Sequence, residues 1–71
     1  MTLPPRAMFH LTMIGGPSQV HDGPLAGRSV DSREPFAAVP LHSDTIMLAR
    51  HKDGSYRFLG KLPTESFEAL P

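Results

Sequence analysis

Four histidines, His10, His21, His42 and His51, are the metal ligands this sequence offers besides its carboxylates, because it contains no cysteine. Their separations fit neither a helical histidine pair nor a compact loop site, and structural zinc sites draw on thiolates as well. The histidines therefore read as exposed or rim residues, and no metal or cofactor is expected. His21 beside Asp22 has the composition of a catalytic dyad, but adjacent residues on an extended chain point to opposite sides. Gly15 and Gly16 lack the further glycines, and the Lys followed by Ser or Thr, that a phosphate-cradling loop requires. No serine sits in a nucleophile elbow, and Asp31 with Glu34 falls in a charged turn. With no groups spaced to share the roles of nucleophile, base and oxyanion donor, the sequence reads as non-enzymatic.

Recognition chemistry is better represented. Between Ile46 and Lys61 the cations Arg50, Lys52, Arg57 and Lys61 stand against Asp53 alone, interleaved with Tyr56 and Phe58. Cations mixed with aromatics on paired strands can stack nucleic-acid bases or dock an acidic protein surface. Arginine and tyrosine are also enriched at interface hot spots. The plainer reading is a solvated edge whose basic side chains keep sheets from pairing edge to edge. Arg50, Lys52, Tyr56, Arg57 and Lys61, with His10 on the first strand, are the candidate partner-binding residues. The chain as a whole carries seven Lys and Arg against seven Asp and Glu. That balance argues against a dedicated nucleic-acid binder, which gains affinity from a basic excess. It averages a cationic hairpin with a tail holding Glu65 and Glu68 and no cation.

Positioning these residues falls to short strands. Eight prolines and six glycines in 71 residues imply frequent turns. Residues 1–6, with Pro4 and Pro5, read as a flexible N-terminal tail. Alternation from Ala7 to Ile14 predicts a strand with Phe9, Leu11 and Met13 on its apolar face, ended by Gly15, Gly16 and Pro17. Ser18 to Gly27 reads as a surface loop, Arg28 to Asp31 as a short strand around Val30, and Phe36 to Val39 as an edge strand or connector between Pro35 and Pro40.

The clearest signal is a hairpin from Thr45 to Leu62 around Asp53 and Gly54. A two-residue turn would oppose Arg50 to Arg57. A three-residue loop with a glycine bulge pairs Leu48 with Phe58 and Arg50 with Tyr56, and is preferred because it joins larger apolar partners and separates like charges. Thr64 is a candidate helix N-cap, with Phe67 and Leu70 able to share one helical turn. The expectation is one mainly β domain over 7–62, of about three to five antiparallel strands. Residues 63–71 follow as a C-terminal tail or a short helix. A chain this small leaves little room for a substrate cavity beside its core. No apolar run reaches the length of a membrane span or a signal peptide, so the cytoplasm is the default location.

The order of features, with Met1-Thr2-Leu3-Pro4-Pro5-Arg6 at the start, Ile14-Gly15-Gly16-Pro17, the turn Asp22-Gly23-Pro24 and the hairpin segment Tyr56-Arg57-Phe58-Leu59-Gly60, resembles a very small tailed-bacteriophage protein. In size and character the chain is similar to the short host RNA polymerase-binding transcription regulator of a lytic Xanthomonas phage. The resemblance implies a monomer in the host bacterial cytoplasm that binds RNA polymerase subunits. It further implies inhibition of initiation by σ displacement, antitermination, and host elongation factors as further partners. Direct nucleic-acid contact, or a role in the virion or against host defence, are the alternatives.

Overall fold

The central strands carry apolar residues on both faces, and such a sheet needs cover on both sides. In the computed structural model, which describes residues 3–69, strands β1 (His10–Leu11), β4 (Phe36–Leu41), β5 (Asp44–Arg50) and β6 (Tyr56–Pro63) form one sheet in the order β1-β4-β5-β6. A separate ribbon pairs β2 (Ile14–Gln19) with β3 (Ser29–Val30), and helix α1 (Thr64–Glu68) follows β6. The architecture is mainly β and mostly antiparallel, with β1 alongside β4 the parallel pair.

On one face of the sheet Ala37, Val39, Ile46, Leu48 and Tyr56 pack under Val20, Leu25 and Val30, which come from the ribbon and the segment between its strands. On the other, Ala38 and Met47 lie under Phe9 and Phe67, ringed by Leu3, Phe36, Leu59 and Leu62. The Phe9 ring lies 5.4 Å from that of Phe36 and meets Phe67 edge-on at 6.2 Å. Arg6 places its guanidinium 5.5 Å from the centre of the Phe67 ring, a cation–π contact that closes this side.

The β5–β6 hairpin takes the three-residue loop. His51 N–H donates to Ser55 O at 2.8 Å, Gly54 N–H donates to His51 O at 3.0 Å, and Gly54 has φ 87°. Leu48 therefore faces Phe58 and Arg50 faces Tyr56. A second irregularity, between Met47 and Leu48, leaves Leu59 as an extra residue. That bulge shifts the alternation by one, bringing Leu62 opposite Thr45 and onto the Phe67 side.

Several elements differ from the sequence expectation. The Ala7 to Ile14 strand shortens to His10–Leu11, preceded by a 3-10 turn over Arg6–Met8. Proline explains where the pairing stops. Thr12 N–H donates to Ala38 O at 3.0 Å, so Pro40, two residues on, turns toward β1 a position with no N–H to offer. The chain leaves β4 there and crosses to the ribbon, Met13 N–H donating to Asp31 Oδ1 at 2.9 Å and Asp31 N–H to Met13 O at 3.1 Å. Gly15, Gly16 and Pro17 do not end a strand; they bulge within β2, where Val30 opposes both Ile14 and Ser18.

The expected loop from Ser18 to Gly27 contributes Val20 and Leu25 to the core. Phe36 to Val39 is no edge: it belongs to β4, between β1 and β5, because β5 and β1 supply partners on both sides. Thr64 gives α1 no side-chain cap. Its hydroxyl instead lies 3.1 Å from Thr45 Oγ1, and its N–H donates to Ser43 O at 2.8 Å, tying the helix to the β4–β5 turn. Leu3, in the segment read as a tail, packs beside Phe9 and Phe67; Leu70 lies outside the described residues.

Candidate functional site

The hairpin cations do not form one surface. Arg50 follows the Tyr56 side of the sheet, Arg57 the opposite side across from Ala49, and Lys52 stands on the turn. Lys61 lies opposite Ile46, its Nζ 3.9 Å from Asp44 Oδ2. Arg57 is half-buried, with Nη2 3.7 Å from Asp53 Oδ2 and Nε enclosed without a hydrogen-bond partner. The strict alternation of a strand produces this separation, since neighbours in sequence take opposite faces.

Tyr56 has no surface to present to a partner. Its ring is fully buried among Leu48, Val20 and Val30. Its hydroxyl donates to Glu34 O at 2.6 Å and is hydrogen-bonded to Ser32 Oγ at 2.9 Å. Ser18 Oγ donates to Ser32 O at 2.6 Å, so the network ties β6, the 31–35 turn and β2 together. A buried acceptor left unpaired costs about 1–2 kcal/mol. Tyr56→Phe is accordingly expected to lower the melting temperature by about 5–15 °C, with the hairpin amide resonances little changed, in thermal melts followed by NMR spectra.

Two other surfaces are built by the fold. The first is apolar. Among the described residues the exposed large hydrophobic side chains are Met8, Leu11, Met13 and Ile14, all from the stretch that leaves β4 for the ribbon. Leu11 is 75% exposed and Met13 68%, values that no core requirement explains. A hollow of about 170 Å³ opens beside them, lined by Thr12, Met13, Ile14, Val39 and Pro40. His10 stands on the same stretch, its Nε2 3.7 Å from Glu34 Oε2.

The second surface is polar. A parallel bridge between Val20 and Tyr56, and the bond from His21 N–H to Tyr56 O at 2.8 Å, dock the end of β2 against the start of β6. Asp22 Oδ1 accepts the Phe58 N–H at 2.6 Å and covers the next stretch of that edge. The outward row Pro17, Gln19 and His21 thereby meets Asp53, Gly54 and Ser55 across a cleft of about 320 Å³. Asp53 Oδ1 accepts the Ser55 hydroxyl at 2.7 Å and the Ser55 N–H at 2.9 Å. The hydroxyl bond foremost, then the N–H bond and the charges of Arg57 and His51, hold the Asp53 carboxyl below its ordinary pKa.

No protein-family model, curated protein or solved structure matches the chain.

The chemistry of the site must therefore be read from its own geometry. Ser55, His21 and Asp53 share a cleft, but the serine proton goes to the aspartate and not to the imidazole. That differs from the Ser-His-Asp order, in which the serine proton goes to the imidazole and the carboxylate orients the histidine. The histidines are dispersed: His10 on β1, His21 in the cleft, His42 on the β4–β5 turn and His51 at the end of β5. Among the described residues no group of three or more His, Asp and Glu side chains is placed to hold a metal ion. No described helix is long and apolar enough to cross a membrane. The apolar edge was not legible in the sequence, where Leu11 and Met13 read as core. Nor was the cleft, whose walls come from segments more than thirty residues apart.

Proposed function

We propose that this chain is a non-enzymatic phage regulator that binds host bacterial RNA polymerase, inhibiting initiation by σ displacement and promoting antitermination. The observation that carries the reading is the exposed apolar stretch, with Met8, Leu11, Met13 and Ile14 turned outward beside an apolar hollow on a domain of 71 residues. Exposed apolar surface of this kind marks interaction sites, and the two methionines adapt their shape to a partner. The resemblance of the sequence to a short polymerase-binding regulator gives the partner its identity.

A standard interface takes about 800 Å² from each partner, so a chain with a total surface of 4488 Å² commits a large share of it to docking. His10 and Glu34 form the polar rim of that surface. The protein acts as a monomer in the host cytoplasm, and needs no cofactor.

Binding to purified bacterial RNA polymerase, as core and as σ-containing holoenzyme, tests the reading. The wild-type chain is expected to bind and to compete with σ. The Leu11→Glu/Met13→Glu variant is expected to melt at the wild-type temperature and to bind at least about tenfold more weakly, each buried apolar side chain being worth about 1.5–3 kcal/mol. Absence of binding to either form of the enzyme overturns the proposal. Full binding by the variant moves the interface off this edge.

A further inference from the structure

We propose that the cleft between β2 and the β5–β6 turn binds single-stranded nucleic acid, with one base against Gln19, His21 and Asp53 and the flanking phosphates on Arg50 and Lys52. The inference is independent of polymerase docking, which uses the other edge of the sheet. It starts from the distribution of charge. Among the described residues Asp53 is the one carboxylate lining the cleft, and the Ser55 and Arg57 contacts favour its ionised form. Arg57 and His51 bear on its charge, Lys52 precedes it on the turn, and Arg50 folds back so that Nη2 comes within 3.5 Å of the space above Gly54.

A simple anion entering the cleft meets Asp53, and a simple cation meets the basic rim. A nucleotide unit suits both, because its base is neutral and offers N–H donors while its phosphate lies a few ångströms away and is anionic. Asp53 Oδ1 is occupied by Ser55, and Oδ2 stands 3.7 Å from Arg57 Nη2, an ion pair too long for a hydrogen bond, so Oδ2 keeps a lone pair for a base N–H. Gln19, at the end of β2, and His21, two residues on along the same extended segment, are both exposed and face the cleft together. They offer a further donor and acceptor to the base edge.

The volume, about 320 Å³, is at the small end for ligand clefts and matches one base better than a large ligand. Reading by edges also selects single strands, since base pairing occupies those edges in a duplex. With the Tyr56 ring buried, no Phe or Tyr among the described residues lines the cleft, so specificity comes from the polar walls and affinity from the cations.

The test is an NMR titration of the isotope-labelled chain with a short single-stranded RNA of mixed sequence. Amide resonances of Gln19, His21, Gly54 and Ser55 are expected to shift together. Two phosphate contacts on a single strand imply a salt slope of about −1.4, so affinity is expected to fall about sevenfold between about 50 and 200 mM KCl. Arg50→Ala/Lys52→Ala flattens that dependence. Gln19→Ala/His21→Ala, which removes only exposed side chains, is expected to keep the wild-type melt and lose at least about fivefold in affinity. Undisturbed resonances overturn the proposal. So does binding of the Gln19→Ala/His21→Ala variant as tight as wild type, or equal binding of an RNA duplex. Polymerase binding is read separately with the same protein, and failure of one leaves the other standing.

Discussion

Phe9→Ala is expected to abolish the cooperative melt, while Leu11→Ala, two residues away, leaves it within a few degrees of wild type. Both are large apolar residues on the same nominal strand face, so the contrast isolates burial. Phe9 is 8% exposed and bridges Phe36 and Phe67. Removing its ring opens a cavity between the sheet and α1 and withdraws two aromatic contacts. Phe to Ala changes in a core cost about 3–5 kcal/mol, and a domain of this size has a total stability of about 3–5 kcal/mol. The two magnitudes coincide, which makes this a loss of folding and not a graded weakening. Leu11, at 75% exposure, has no such contacts to lose, and surface changes stay within about 0.5 kcal/mol. Circular dichroism melts of the two variants settle it. An unfolded Leu11→Ala beside a folded Phe9→Ala would mean that the burial of this segment is inverted.

The same pair of residues shows what the sequence could tell. Alternation from Ala7 to Ile14 identifies which side chains share a face, but not which face is covered. Cover comes from α1 and from β4, both distant in sequence. The hairpin register was legible because its determinants are local: Asp53 and Gly54 supply the turn, and the pairing of Arg50 with Tyr56 keeps Arg50 away from Arg57. Pro35 and Pro40 made β4 look like an edge. Pro40 is tolerated inside the sheet only because β1 has already turned away, a fact held by another segment.

Among the candidate contact residues, Tyr56 shows the limit most plainly. A tyrosine among cations has the composition of an interface, and only the distant Ser32 and Glu34 turn it into a core residue. His42 carries a positive φ of 57° at the β4–β5 turn, which its residue type does not announce.

Gly23→Ala should be strongly destabilising although the residue has no side chain to lose. Gly23 lies in a 3-10 turn over Gly23–Leu25 with φ 79°, and an added Cβ would stand 2.5 Å from both Cβ and Cγ of Phe58. The backbone conformation alone costs an L-residue about 1–2 kcal/mol, and the overlap with a packed ring adds about 1–3 kcal/mol. The melting temperature is expected to fall by about 10–30 °C.

Gly27→Ala is the control, because Gly27 has φ 84° and open space where its Cβ would lie. It carries the conformational cost without the clash, so the difference between the two melts measures the approach of this segment to β6. Equal melts would show that the segment moves off Phe58 without penalty. The consequence reaches the cleft as well. Asp22 Oδ1 holds the Phe58 N–H, and His21 N–H holds Tyr56 O. Lifting Gly23 from the ring pulls on both bonds, and the Gly23→Ala amide shifts should therefore extend to Gln19 and Ser55 on the two walls of the cleft, whereas those of Gly27→Ala should remain local.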